Sequence, residues 1–154
     1  MILVDPADRV LLFRFDPPAP YPKGTGWLTP GGGLGPGEPP AAGAVRELYE
    51  ETGQRVDPAD AGPVVAVCSG QWSTPDGTVF DAVDSYFFIR ARNARVDISR
   101  HEDLERDVLQ GHRWWTLAEL ATTGDQIFPV GLAGLLERLL AGDVPDHPIR
   151  LPWR

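Results

Sequence analysis

The sequence predicts a mixed α/β domain built from hairpins and a few helices, and three observations carry that expectation. Two β-rich runs, Val64 to Ser73 and Thr78 to Ala91, flank a Pro75-Asp76-Gly77 turn and read as a hairpin. Val130 to Ala141 sets Leu132, Leu135, Leu136, Leu139 and Leu140 along the apolar face of an amphipathic helix. Between the sheet-forming segments, a stretch ending at Gly53 places Ala41, Ala44, Val45, Leu48 and Thr52 on one side of a short helix facing a core.

The remaining elements follow in order. Met1 to Val4 and Arg9 to Phe15 read as strands around an Asp5-Pro6-Ala7-Asp8 turn. Residues 16–26 form a Pro/Gly-rich loop, and Trp27-Leu28-Thr29 is an extended piece entering Pro30-Gly31-Gly32-Gly33. Glycines there allow positive φ and close approach of backbone to a ligand. Glu38-Pro39-Pro40 opens the short helix, prolines being tolerated in a first turn, and Gly53 closes it as a left-handed cap. Residues 92–105 read as a polar loop, Asp107 to Trp115 as a strand, and Leu117 to Thr122 as a short helix opened by Thr116. The Pro-rich residues 144–154 read as a C-terminal tail of a single domain spanning 1–154.

Composition narrows the class. With 154 residues, 42% hydrophobic and 23% charged, the chain is long enough to bury a real core. A formal net charge of −8 argues against nucleic acid and anionic membrane as partners, which attract basic surfaces. The same charge repels a polyphosphate, so recognition of one needs a local positive field. The single cysteine, Cys68, excludes an internal disulfide and fits a reducing, cytoplasmic setting. No signal peptide or spanning apolar run is evident.

Chemistry concentrates in the short helix, whose last turn carries Glu47, Glu50 and Glu51 on one side. Like charges at i,i+3 and i,i+4 repel by about 0.2–0.5 kcal/mol per pair. Glutamates near a helix C-terminus also oppose its dipole, at roughly 0.3–1 kcal/mol each. Something cationic should offset those costs, and clustered carboxylates suit a hard divalent ion such as Mg²⁺ or Mn²⁺. Gly43 lies one turn before Glu47 on that side, a bare spot that would let a loop or metal-bound phosphate come near, against the alternative of a chance placement.

The spacing of Gly32, Glu38 and Arg46-Glu47-Leu48-Tyr49-Glu50-Glu51-Thr52-Gly53 resembles the signature of the Nudix hydrolases, which cleave nucleoside diphosphates linked to another moiety. One position departs: the closing residue, usually aliphatic, is Gln54. The resemblance implies an α/β/α sandwich with a mixed central sheet and flanking helices. It places metal ligation on Glu47, Glu50 and Glu51 with the carbonyl of Gly31, and makes Arg46 the residue that orients a glutamate. Glu47 is the motif's candidate base, but in this family a glutamate from a later loop sometimes serves, and Glu102 and Glu105 lead there, with His101 behind them, against the alternative of an ordinary polar loop. The glycine turn, Gly32 and Gly33, would face substrate. Family members usually have more residues before the first strand, so a shortened or misassigned start is open.

Recognition of the rest of the substrate is less sharply written. Trp27, Trp72 and Phe80 are candidates to stack a base, against the alternative of core packing. Arg14, Lys23 and Arg90 are candidates for phosphate, against that of exposed basic side chains. His112, His147 and Cys68 show no ligand spacing. The expected activity is a Mg²⁺-dependent pyrophosphohydrolase, Mn²⁺ substituting, acting on a small nucleotide of ADP-ribose, NDP-sugar, oxidised dNTP or dinucleoside polyphosphate type. A Nudix-fold module that senses a nucleotide without cutting it is the alternative, and a homodimer is left open.

Overall fold

A computed structural model describes residues 1–15, 26–73, 77–101 and 109–153, the side chain of Trp72 excepted. Its strands are β1 (Ile2–Val4), β2 (Val10–Phe15), β3 (Gly26–Leu28), β4 (Val64–Ser73), β5 (Val79–Arg90), β6 (Leu109–Trp115), β7 (Gln126–Phe128) and β8 (Ile149–Arg150). The helices are α1 (Pro40–Thr52), α2 (Leu117–Thr122) and α3 (Leu132–Leu140), with one 3₁₀ turn at Pro58–Asp60.

The sheet runs β7-β3-β2-β1-β5-β4-β8, and β6 also pairs with β2. It is mixed: β1/β2, β2/β3, β2/β6 and β4/β5 are antiparallel, whereas β1/β5, β3/β7 and β4/β8 are parallel. Its centre is buried on both faces, which explains why β1 and β2 read as continuous apolar runs instead of alternating ones. Successive side chains still divide by parity. Leu3, Leu11, Phe13, Phe87 and Ile89 pack with Val45 and Leu48 of α1. Ile2, Val4, Val10, Leu12 and Trp115 pack with Leu132, Leu135, Leu136 and Leu139 of α3. The result is the expected α/β/α sandwich around a mixed sheet.

Local signals set the element ends. Gly53 caps α1 at φ 71, its N–H donating to Tyr49 O. Thr116 and Glu119 form a reciprocal capping box at the start of α2. The expected hairpin pairs in register, Cys68 opposite Asp84 and Trp72 opposite Phe80, while its Pro75-Asp76 turn lies outside the described residues. Two strands were not anticipated. Gln126–Phe128 joins β3, and the tail contributes β8 beside β4. The tail is further held by Leu151 N–H on Val67 O at 2.8 Å and by Trp153 lying over Gly70. Among the described residues no helix is long and apolar enough to cross a membrane.

Candidate active site

The turn before α1 and the last half of that helix come together because two glycines leave no side chain between them. A Cβ at Gly32 would stand 2.5 Å from Oε2 of Glu47, so only glycine permits that carboxylate its position. Gly31, at φ 143, directs its N–H to Oε2 of Glu51 at 2.7 Å. Gly43, read as a bare spot for a loop or a phosphate, is filled by the loop: a Cβ there would meet Leu34 Cδ2 at 2.3 Å. Glu47 and Glu51 are 8% and 3% exposed, and Glu50 is half-buried.

Arg46 organises the carboxylates. Its Nε and Nη2 grip both oxygens of Glu38 at 2.9 Å, and Nη2 also donates to Gly33 O at 2.9 Å. Its Nη1 bridges Glu47 Oε1 at 2.8 Å and Glu50 Oε2 at 2.9 Å. One planar cation thus ties the loop to the helix and offsets the repulsion between two glutamates. Hydrogen bonds from Arg46 and from Gly35 N–H bring the Glu38 carboxyl down to about 2. The amino group of Met1 donates to Pro30 O; burial lowers its pKa to about 6, against the opposing pull of Glu51, Asp84 and Glu47. Those three carboxylates therefore act on a common point.

A cavity of about 500 Å³ opens over this turn. Gly31, Gly32, Gly33 and Glu47 line it, with Asp84, Ser85 and Phe128. Asp84 is steadied from behind by Cys68 Sγ at 3.6 Å, a thiol whose own pKa burial pushes up. Neither Asp84 nor Phe128 was singled out from sequence. One belongs to an ordinary β run and the other to a three-residue strand, and neither position leaves a local signature.

The other candidates are placed as follows. Trp27 packs edge-on against Trp115 at 5.0 Å, donates its indole N–H to Asp125 at 3.0 Å, and is not among the cavity-lining residues. Arg14 is exposed on β2, also away from the lining. Phe80 is 43% exposed on β5, and Arg90 pairs with Asp8 at 2.8 Å. Glu102, Glu105 and Lys23 lie outside the described residues. Gln54, at the departing position, donates to Arg95 O at 2.8 Å and so ties the 93–95 loop to the end of α1.

The donor set of Glu47, Glu50, Glu51 and nearby carbonyls is all oxygen and fits a hard divalent cation in kind. The field fits as well, because the positive charge of Arg46 is drawn to Glu47 and Glu50. As arranged, however, no three acidic, histidine or cysteine side chains among the described residues form a ready metal cage. Arg46 holds Glu47 and Glu50, while Glu51 is held by the glycine turn.

Solved structures share the architecture. A NUDIX hydrolase from Nitrosomonas europaea superposes with TM-score 0.56 at 21% identity, covering 93% of this chain and 88% of its own. A MutT NUDIX hydrolase from Burkholderia pseudomallei gives 0.56 at 18%, covering 89% and 95%. The NUDIX domain of Shewanella oneidensis NrtR, complexed with ADP ribose, gives 0.56 at 18%, covering 90% and 83%. These identities speak to fold alone. No functionally curated protein matches the sequence at a significant level. The NUDIX domain profile matches residues 1–131, and with the glycine turn and Glu47 on one cavity and Arg46 tying Glu47 to Glu50, the chain belongs to the Nudix hydrolase family.

Proposed function

We propose that this chain hydrolyses the diphosphate linkage of a nucleoside diphosphate derivative with Mg²⁺ or Mn²⁺ held by Glu47, Glu50 and Glu51. The observation that carries the reading is the meeting of buried Glu47 and Glu51 with the Gly31–Gly33 turn at the cavity wall. Bound there, the ion supplies charge neutralisation on phosphoryl oxygens and a lowered pKa for water. The protein's own part is positional. Arg46 sets the directions of Glu47 and Glu50, and the glycines admit the diphosphate close to the backbone. A carboxylate within hydrogen-bond reach of the attacking water takes its proton. Glu47 is the candidate inside the cavity, and Glu102 and Glu105 remain candidates on the sequence argument.

The nucleoside or its attached group occupies the rest of the cavity, where Phe128 offers an aromatic face and Asp84 an acceptor. The size of about 500 Å³ suits a ligand of that class. ADP ribose is the ligand in the NrtR structure, and that supports testing ADP-ribose derivatives early.

Phosphate release from nucleoside di- and triphosphates, ADP-ribose, sugar nucleotides and dinucleotides, with Mg²⁺ or Mn²⁺ and a coupling pyrophosphatase or phosphatase, tests the reading directly. Mn²⁺ should also raise the melting temperature, and the double variant Glu47→Ala/Glu50→Ala should lose most of that rise. An undiminished rise in the double variant places the ion elsewhere. Nucleotide-induced stabilisation with no turnover on any substrate would favour a sensing module over an enzyme.

A further inference from the structure

Helix α1 ends where its geometry is hardest to hold. Glu50 and Glu51 oppose the dipole at its C-terminus, and no basic residue stands in its last turn. The terminal carbonyls need donors from outside the helical ladder. Thr52 Oγ1 donates to Leu48 O at 2.5 Å, and Gly53 N–H to Tyr49 O at 2.9 Å. Two more carbonyls are met from the distant 97–101 segment. Asp97 N–H donates to Thr52 O at 2.9 Å, and His101 Nε2 lies 2.9 Å from Glu51 O.

A backbone carbonyl only accepts, so Nε2 carries the proton and donates. The imidazole is 6% exposed, and Phe13 meets it edge-on at 5.5 Å, fixing its plane against the core. Arg100, paired to Asp97 at 2.7 Å, lies over the Tyr49 ring at 4.6 Å and binds the same segment to α1 a third way.

We infer that His101 is a positioning residue, holding the Glu51 carbonyl so that the Glu51 carboxylate stays seated on the Gly31 N–H at the cavity. With Nε2 committed to that carbonyl, His101 acts on the site through Glu51. The device does for a helix end what outer ligands do for a metal site: it removes freedom from a group that must not swing.

Three variants test it. His101→Gln keeps an amide nitrogen near the place of Nε2, His101→Asn draws that nitrogen back, and His101→Leu removes the donor at similar bulk. Each is measured for Mn²⁺ affinity by electron paramagnetic resonance, Gly31 amide exchange by NMR, and kcat and KM. The Leu and Asn variants should lose about 10–100-fold in Mn²⁺ affinity and kcat with KM within about twofold, while Gln recovers most of the loss. Gly31 exchange should quicken in Leu and Asn and stay slow in Gln. If Leu does not fold, the Gln–Asn contrast decides. Equal Mn²⁺ affinity and equal Gly31 protection across all three would overturn the inference, as would Gln falling as far as Leu at matched unfolding midpoints. The turnover arm rests on the proposed hydrolase reading. If the wild-type protein cleaves no nucleotide, that reading fails, and Mn²⁺ affinity and Gly31 exchange still decide the role of His101.

Discussion

Replacing Gly32 by alanine adds one methyl group, and its landing place is known. The new Cβ would lie 2.5 Å from Glu47 Oε2 and 2.6 Å from its Cδ and Oε1, where ordinary contact begins at 3.4 Å. The carboxylate must therefore retreat by roughly 0.9 Å. Because the obstacle is the end of a side chain and Gly32 is not at positive φ, folding suffers little. An off-rotamer Glu47 costs about 0.5–1.5 kcal/mol. For a chain of this size that lowers the melting temperature by a few degrees, at roughly 2–4 °C per kcal/mol. The site suffers more. Glu47 Oε1 stands 2.8 Å from Arg46 Nη1, and a retreat of that size disturbs the geometry of that pair. A misplacement near 1 Å costs about 10²-fold in rate, or about 2.7 kcal/mol of transition-state stabilisation at 1.36 kcal/mol per decade. The assay is kcat/KM with Mn²⁺ on the best substrate from the screen, beside a metal-free melting curve. Gly32→Ala retaining wild-type turnover within about threefold would refute the placement of Glu47 in the reaction.

Three further outcomes are expected. Glu51→Gln keeps an oxygen for the Gly31 N–H and removes one repelling charge, so metal-free stability should barely change while turnover drops by orders of magnitude; near-normal turnover removes Glu51 from the site. Arg46 depresses the Glu38 carboxyl from 4.5 to about 2. A depressed carboxylate stabilises the fold above its ordinary value, and that contribution disappears as pH falls from about 4.5 to about 2. Denaturant titrations over that window should show a shallower loss in Glu38→Gln than in wild type, each keeping the slope due to Asp97, which titrates in the same range; superimposable slopes would contradict the Arg46–Glu38 pairing. Gly70→Ala drives a Cβ to 2.2 Å from Trp153 Cγ and should destabilise by about 1–3 kcal/mol. Adding Trp153→Ala should then cost less than the two single effects combined, and strict additivity in a double-mutant cycle would show that the tail does not pack on β4.

The acidic helix was legible because its signals are local. Gly53 needs a left-handed φ, Val45 and Leu48 need a core face, and Glu47, Glu50 and Glu51 fall together by helical period alone. The β4–β5 pairing was legible for a similar reason, two β-rich runs meeting at a turn-forming tripeptide. Trp27 shows the limit of such reading. An aromatic beside a glycine turn is equally suited to stacking a base or filling a core, and packing against Trp115 placed it in the core.

By itself, then, the amino-acid order determined a mixed α/β class with hairpins, the glycine turn and the charge problem that α1 must solve, since propensity, period and φ preference act over a few neighbouring residues. The sandwich was expected only through the family resemblance. Tertiary structure alone decided that Arg46 bridges Glu47 and Glu50, that Asp84 and Phe128 wall the cavity, and that His101 closes the end of α1. It also made strands of Gln126–Phe128 and Ile149–Arg150. Segments that short exist as strands only through backbone hydrogen bonds to remote partners, and a bond whose acceptor lies a hundred residues away leaves no mark in the local pattern.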